Sequence, residues 1–453
     1  MKFEKYLSSV DRCSEKIIHL SDYIWDHPEV GFREFESSAA LQTALKEEGF
    51  KITSGLAGIP TAFKAEYGYE GPAIGILAEF DALQNLNYQA GVAEPIFRED
   101  TNFGHGCGHN LFAAGSYAAA LAIKSYIDEQ KQGSVTLFGC PGEENKGGKV
   151  YMARAKVFNE MGAIVSWHPE QIHMVRTRPS LANVEVDYHF SGVASHAGGS
   201  PERGRSALDA CELMSVGCNY LREHMPTTCR IHYAYINAGG EAPNIVQSHA
   251  TVRYLIRAND NDEVLELWDR VNAVAKGAAM MTGTEVTWDM FSAYSNLITN
   301  SIMQRVGTEA LKDIPIPVPN EEDLELGKKL QKTFSLTKED KDKPIFADRV
   351  LDPAPPKAHG GSTDTADVSW NCPTLQFHIA TKAVGTPGHS WQNVAQGKTH
   401  YAHEAVLFAG KVLASTAIRL MTDPETLHAV REEFLEKTKG GYHCPLPDEV
   451  QPK

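Results

Sequence analysis

The chain has 453 residues, more than one hydrophobic core usually organises, so we expect two domains. Hydrophobic residues make up 42% of it and charged residues 22%, as in ordinary globular proteins. The formal net charge of -15 argues against nucleic acid or an anionic membrane surface as a partner, but a local basic pocket can still bind a small anionic substrate.

Three features of the sequence predict a cytoplasmic enzyme. Residues 1–11 contain no apolar run and no small-residue cleavage site, which predicts that there is no signal peptide. The apolar stretch at 110–123 is interrupted by Gly115 and Ser116 and is too short to span a bilayer. The 8 cysteines are scattered without the spacing of a disulfide framework, which is typical of reduced thiols.

The first part of the chain alternates helical and strand patterns. Residues 35–49 show the spacing of an amphipathic helix that ends at Gly49. Short apolar runs predict strands at 73–78, 134–139 and 163–167, and an Ala-rich helix is predicted over 111–130. This order predicts an α/β fold class, with a mostly parallel sheet and flanking helices.

The pattern changes at about residue 182. Alternating strands are predicted at 184–190, 230–235 and 251–257, separated by helices at 206–223 and 262–281. This α+β unit is expected to end near residue 287.

The α/β pattern then resumes with a strand at 374–379 and a long helix at 400–421. We therefore predict an inserted α+β lid or dimerisation domain at residues 183–298, between two parts of a catalytic domain at 1–182 and 299–453. The segment 315–356 is rich in proline and charge, and much of it is predicted to be a long surface excursion.

The segment from Gly104 to Asn110 carries the first candidate chemistry. His105, Cys107 and His109 alternate just before the Ala-rich helix, so their imidazole and thiolate groups can converge on one cation. Taken alone, the segment is also compatible with a buried cysteine beside structural histidines.

Adjacent carboxylates follow the strand at 134–139. One of Glu143 and Glu144 could bind a metal while the other takes a proton from water. For a bare pair of glutamates, a solvated acidic turn is the simpler interpretation, but the position directly after an apolar strand favours a site.

Other polar groups also follow predicted strands. Glu79 and Asp81 come after the strand at 73–78, and His168 and His389 come after two others. Open α/β sheets bind ligands in the crevice at the carboxyl ends of their strands. Groups of ligand type after four separate strands therefore predict a metal site there.

The inserted domain adds His196, Asn244, Arg253 and Arg257. A loop histidine such as His196 commonly has no role. An arginine can hold a substrate carboxylate in a forked contact, although a solvated strand face explains the two arginines equally well.

Four motifs carry a resemblance to a known superfamily, and the similarity extends from His27 to the C-terminal helix. They are Gly-Ile-Leu-Ala-Glu-Phe-Asp-Ala-Leu at 75–83, Gly-His-Gly-Cys-Gly-His-Asn at 104–110, Pro-Gly-Glu-Glu at 141–144 and Gly-Gly-Ser-Thr-Asp-Thr-Ala-Asp-Val-Ser-Trp at 360–370. The sequence resembles the aminoacylase and carboxypeptidase superfamily of dinuclear metallopeptidases. Within it, the chain is similar to the amidohydrolase branch of auxin-conjugate amidohydrolases and p-aminobenzoyl-glutamate hydrolases of the B-subunit type.

The resemblance implies two divalent ions per subunit, Zn²⁺ or Mn²⁺, and a role for each matching residue. The implied metal ligands are Cys107, as a bridging thiolate, with His109, Glu144, His168 and His389. The implied catalytic residues are Glu143 as general base, Asp81 as the group that orients a ligand, and His196, reaching across a dimer interface. The implied binding groups for the substrate carboxylate are Asn244, Arg257 and the backbone around Gly361 and Ser362.

Departures from the family pattern concern substrate choice, because no implied ligand is replaced. Asn110 stands where many relatives have Asp, Glu79 stands where others have Asp or His, and Ser-Thr-Asp at 362–364 replaces Ser-Glu-Asp. The excursion at 315–356 is longer than in the auxin-conjugate enzymes and could shape the pocket.

The expected reaction is hydrolysis of an amide in a small substrate with a free carboxylate, an N-acyl amino acid or an aminobenzoyl-glutamate-like conjugate. A second hypothesis makes Cys107 a nucleophile activated by His105 or His109. A third makes the chain a binding subunit of a heteromer whose partner is catalytic. The expected assembly is a homodimer, or a heteromer with a related subunit.

Overall fold

Two β-sheets organise the chain. The computed structural model describes residues 2–353 and 361–452. The strands in chain order are β1 Lys51–Ser54, β2 Phe63–Gly68, β3 Ala73–Ala78, β4 Leu83–Gln84, β5 Phe103–Gly104, β6 Ser134–Gly139, β7 Ala163–Glu170, β8 Met174–Val175, β9 Ala182–Ser191, β10 Arg230–Asn237, β11 His249–Ala258, β12 Glu285–Tyr294 and β13 Thr374–Ala380.

The α-helices surround these sheets. They are α1 Glu4–Arg12, α2 Ser14–Asp26, α3 Phe35–Glu47, α4 His109–Gln130, α5 Gly148–Arg154, α6 Ala207–Leu221, α7 Asn261–Thr282, α8 Ser301–Asp313, α9 Glu321–Leu330, α10 Thr365–Asn371, α11 Trp391–Gln396, α12 His400–Thr422 and α13 Pro424–Lys437.

The larger sheet has the order β1-β2-β6-β3-β7-β13-β8. Its central strands β6, β3, β7 and β13 run parallel, whereas β1, β2 and β8 pair antiparallel at the two sides. The central strands are buried on both faces, which explains why they read as continuous apolar runs. The predicted α/β fold class is confirmed.

The smaller sheet is antiparallel, with the order β10-β11-β9-β12, and α6 and α7 pack against it. Its strand β11 alternates buried and partly exposed residues because only one face is covered by helices. These elements lie in the chain between β8 and β13, as an insertion requires. The predicted end near residue 287 is wrong, since β12 continues to Tyr294; the boundaries 182/183 and 298/299 stay predictions.

Two long helices form the centre of the larger domain. Helix α4 packs along α12, and Gly410 lets the helices approach so closely that an added Cβ would lie 2.5 Å from the Cβ of Ala118. By length and composition α12 could span a membrane, but 83% of its most apolar window is buried in the protein. Its apolar character therefore follows from its place in the core.

The prediction of a surface excursion at 315–356 is wrong for the part that forms a helix. Residues Glu321–Leu330 form α9, which begins with a capping box between Asn320 and Asp323. Asp323 is buried and accepts a hydrogen bond from the Tyr401 backbone N–H at 3.1 Å, so α9 is attached to the start of α12. The last residues of the excursion, 354–356, lie outside the described residues.

Candidate metal centre and substrate cavity

The turn before α4 places Cys107 and His109 at the carboxyl ends of the parallel strands. Gly108 has φ 84°, a conformation that suits glycine, and an added Cβ would lie 3.0 Å from Pro169. The turn is also attached to His389, whose backbone N–H donates to the Gly106 carbonyl at 3.2 Å. His389 itself has φ 50°, which is uncommon for a residue other than glycine and is frequent at functional sites.

The predicted ligands come together in overlapping groups, within each of which the donor atoms lie within 4.8 Å of one another. Cys107 belongs both to the group with His109 and His168 and to the group with Glu144 and His389. Its Sγ lies 3.3 Å from His168 Nε2, and Glu144 Oε2 lies 3.2 Å from His389 Nε2. A thiolate shared by two ligand groups is the arrangement expected for a bridge between two cations.

Three buried atoms of this cluster have no hydrogen-bond partner among the described residues: His109 Nε2, Glu144 Oε1 and Glu79 Oε2. The imidazole nitrogen lies 3.3 Å from the Glu79 oxygen and 4.0 Å from the Glu144 oxygen. Polar atoms buried without partners are costly, and a bound cation would supply the missing interaction. Imidazole, carboxylate and thiolate donors suit Zn²⁺, and the carboxylates also suit Mn²⁺. The residues therefore fit a metal centre.

Asp81 contacts His109, the proposed ligand that the family resemblance expects it to orient. Its Oδ1 lies 2.9 Å from His109 Nδ1, which leaves Nε2 facing the other donors. Its Oδ2 accepts a hydrogen bond from the Glu144 backbone N–H at 3.0 Å. Burial alone would raise the pKa of Asp81, but the neighbouring His109 lowers it below the usual value. The carboxylate is thus held in its ionised form.

Glu143 lies beside the cluster, in one group with His109 and Glu79, and lines a cavity described below. Burial, followed by the nearby Asp364, raises its pKa to about 7. The Thr363 hydroxyl donates to Glu143 Oε1 at 2.9 Å, which fixes the carboxylate. A positioned carboxyl group with a pKa near neutrality is suited to general acid–base work.

Lys149 was not predicted and is part of the same network. Its fully buried ammonium lies 2.8 Å from Glu79 Oε1 and 2.5 Å from Asp364 Oδ1. Lys149 therefore connects the motif at 75–83, which contains Glu79, to the segment that contains Thr363 and Asp364. The local sequence Asn-Lys-Gly-Gly-Lys at 145–149 reads as an exposed turn, so no pattern in the sequence indicated this role.

A cavity of about 1180 Å³ adjoins the cluster. Arg257, Gly361 and Ser362 line it, and Arg257 Nη1 donates to Ser362 Oγ at 2.7 Å. Arg253 instead forms a forked pair with Asp187, at 2.6 and 2.7 Å. The structure thereby separates two arginines that strand alternation alone treats alike.

Three predicted or considered residues lie elsewhere. His196 and Asn244 are exposed on the smaller domain, where His196 forms a β-bridge with Ile245, and neither lines the cavity of its own chain. His105 is buried, with Nε2 3.0 Å from the Ile24 carbonyl, and it belongs to none of the metal-ligand groups found in the described residues. Its role is to support the turn.

Comparison with known proteins adds to this geometry. Residues 76–438 match peptidase family M20/M25/M40. The chain is 40% identical over 469 aligned positions to the B-type subunit of the p-aminobenzoyl-glutamate hydrolase of Escherichia coli, covering 98% of this chain and 97% of that protein. It is 30% identical to the Xaa-Arg dipeptidase of Mus musculus, covering 94% of this chain and 90% of that protein. The solved structure of a dinuclear metal-binding M20 peptidase from Bacillus subtilis matches with a TM-score of 0.61 at 18% identity, covering 91% of this chain and 99% of that one.

Proposed function

Because the chain belongs to peptidase family M20/M25/M40 and is a metal-dependent amide hydrolase, we propose that it cleaves N-acyl amino acids or aminobenzoyl-glutamate-like conjugates. The observation that carries this proposal is the cavity itself. It brings the metal-ligand cluster, the carboxyl group of Glu143 and the guanidinium of Arg257 onto one surface. A substrate that carries both an amide and a carboxylate matches these groups.

In this proposal the five predicted ligands hold two divalent ions, Zn²⁺ or Mn²⁺. The ligands would be Cys107, His109, Glu144, His168 and His389, of which Cys107 belongs to both ligand groups. When bound, such ions polarise a carbonyl oxygen and lower the pKa of water from 15.7 to about 7. Asp81 keeps His109 in the tautomer that presents Nε2.

Glu143 moves the proton. As a carboxylate it accepts a proton from the attacking water, and as a carboxylic acid it returns that proton to the leaving nitrogen. A pKa raised to about 7 suits both halves of this cycle. The hydroxyl of Thr363 holds the carboxyl group in place during both steps.

The substrate carboxylate is assigned to the side of the cavity formed by the smaller domain. Arg257 offers guanidinium N–H donors there, with Ser362 and the backbone around Gly361 beside it. A charged, partly buried contact of this kind orients the amide relative to Glu143.

We also propose that the working form is a homodimer in which His196 completes the site of the partner and helps to polarise the scissile carbonyl, with Asn244 contacting the substrate carboxylate. Strand β10 is an edge strand of the smaller sheet, and Tyr233, Tyr235 and Ile236 on it are exposed. Exposed apolar side chains along an unpaired edge fit a second copy. A heteromer with a related subunit is the alternative, because the similar protein of Escherichia coli is named as a subunit.

We propose that the protein is located in the cytoplasm. All eight cysteines of the chain are free thiols, which suits a reducing compartment.

Assay of the purified chain, alone and reconstituted with Mn²⁺ or Zn²⁺, tests the function. Aminobenzoyl-glutamate and a panel of N-acyl amino acids should be hydrolysed, and chelation followed by metal readdition should abolish and restore the activity. Activity that survives chelation but is lost on alkylation, with a trapped acyl-enzyme, would instead support Cys107 as nucleophile. No activity without a second protein would support the binding-subunit hypothesis.

Glu143→Gln tests the assignment of the base. The amide side chain has nearly the same shape but cannot accept the proton, so turnover should fall by at least about 100-fold. Metal content, measured by elemental analysis, should remain as in the wild type. A variant with near-normal turnover would remove Glu143 from the mechanism.

A further inference from the structure

Arg176 and Lys382 are cationic residues that line the cavity and follow strands of the larger sheet. Arg176 directly follows β8, and its Nη1 donates to Gln376 Oε1 on β13 at 2.6 Å. Lys382 follows the end of β13, and its Nζ lies 3.5 Å from the Pro169 carbonyl. Pro169 is adjacent to the proposed ligand His168, so both cations lie on the wall next to the metal centre.

The strand register explains why these groups share one wall. His378 on β13 pairs with His168 on β7, and Gln376 lies two residues earlier on the same face of β13. The intervening Phe377 points into the hydrophobic core. The backbone N–H of Arg176 also donates to the Gln376 carbonyl at 2.9 Å, which fixes the arginine beside this face.

Lys382 is buried and Arg176 is partly buried, and no carboxylate of the described residues lies within ion-pair distance of either, although Glu143 and Glu170 line the same cavity. Lys382 is only 5% exposed. Burial lowers the pKa of Arg176. Glu170 lines the same region, but its carboxylate lies 4.0 Å from His168 Nδ1 rather than in contact with either cation.

The ammonium of Lys382 has one long hydrogen bond, and the guanidinium of Arg176 is held by the neutral amide of Gln376. Both cations therefore lack the charged partner that usually accompanies a buried charge. The missing partner is therefore a negatively charged group that arrives with the ligand.

We propose that Arg176 and Lys382 form a second anion-binding subsite, which takes a further carboxylate of the substrate while Arg257 takes the first. This inference rests on the proposed function and narrows it to N-acyl conjugates with two anionic groups. The second carboxylate can belong to an acidic amino-acid side chain or to the acyl group. Gln376 holds the guanidinium in its binding orientation.

Matched substrates separate these sources. N-benzoyl-glutamate places the second carboxylate on the amino acid, and N-succinyl-alanine places it on the acyl group. N-benzoyl-glutamine and N-acetyl-alanine are their respective partners; both keep the first carboxylate and are called neutral here because they lack only the second charge. In the reconstituted enzyme, kcat/KM for one charged compound should exceed that of its neutral partner by roughly 10–100-fold, as a charge-assisted contact to a buried group implies.

Arg176→Met and Lys382→Met should each remove most of this preference and leave kcat/KM for the neutral compound nearly unchanged. Unchanged turnover of the neutral compound also shows that the variants fold. Arg253→Met is the matched control, because that arginine is paired with Asp187 and does not line the cavity. It should keep the full preference.

Binding gives a readout that is independent of turnover. In Glu143→Gln, calorimetry should show tighter binding of the charged compound, and the added Lys382→Met substitution should abolish the difference. Equal kcat/KM values for charged and neutral compounds in the wild type, or a preference that survives both methionine substitutions, would overturn the subsite. Hydrolysis of none of the compounds would instead contradict the proposed function.

Discussion

At the scale of single residues, the contact between Thr363 and Glu143 connects two distant parts of the chain. The hydroxyl lies 2.9 Å from the carboxyl oxygen, and the adjacent Asp364 is held by the buried ammonium of Lys149. This threonine occupies the middle of Ser-Thr-Asp at 362–364, the motif that departs from the family pattern. Its hydroxyl therefore positions the proposed base.

Thr363→Val should lower kcat by roughly 5–30-fold, the equivalent of one hydrogen bond to a charged group, with little change in KM. Loss of a donor to the ionised carboxylate also raises its pKa, so the acidic limb of the pH–rate profile should move to higher pH. Thr363→Ser, which keeps the hydroxyl, should behave like the wild type. A valine variant with an unchanged kcat and pH profile would show that the contact has no catalytic effect.

At the scale of elements, His173 joins three segments. It precedes β8, forms a bridge with Val350, and its Nδ1 accepts a hydrogen bond from the Ala380 backbone N–H at 3.3 Å. The ring is fully buried against Phe408 of α12. Burial lowers the pKa of His173 to about 4, so the folded protein holds the neutral ring.

This burial predicts a loss of stability in acid. Below about pH 6.5 the unfolded chain binds a proton that the folded chain does not, so the free energy of unfolding falls as the pH decreases from 6.5 towards 4. Between pH 7 and pH 5 the contribution of this one ring is about 2 kcal/mol.

His173→Leu should therefore weaken the pH dependence of the urea midpoint between pH 7 and pH 5. His224→Leu is the control, because His224 is exposed and its substitution should leave the dependence unchanged. If His173→Leu and the wild type lose stability in parallel, the ring is not a source of the acid sensitivity.

At the scale of the whole molecule, the proposed homodimer makes a prediction about where each site draws its residues. His196 is exposed on the smaller domain and does not line the cavity of its own chain, whereas Glu143 does. In a symmetric dimer each site would combine Glu143 of one protomer with His196 of the other.

Co-expression of Glu143→Gln with His196→Ala tests this arrangement. Each variant alone should be nearly inactive, but a mixed dimer contains one site with both native residues, so random pairing should restore about a quarter of the wild-type activity. A chain carrying both substitutions, mixed with either single variant, should restore none. Failure of the first mixture, although mixed dimers are isolated, would exclude a shared site.

The sequence by itself determined the fold class and predicted most residues of the candidate metal centre. The parallel strands are buried on both faces, so their apolar runs are visible without neighbours, as at β3 and β6. Because carboxyl ends of parallel strands meet at one edge, polar residues after several strands predict convergence, which Glu144 and His168 show. The family resemblance supplied the separate roles of these residues.

Only the tertiary structure decided the features that depend on partners far apart in the chain. Lys149 is buried because Asp364, more than two hundred residues away, approaches it, and Arg253 is excluded from the cavity because Asp187 lies on the neighbouring strand. Arg176 and Lys382 acquire significance only because the fold places them in one cavity with no carboxylate of the described residues at ion-pair distance. Burial and charge pairing are properties of the assembled fold, and local sequence patterns do not contain them.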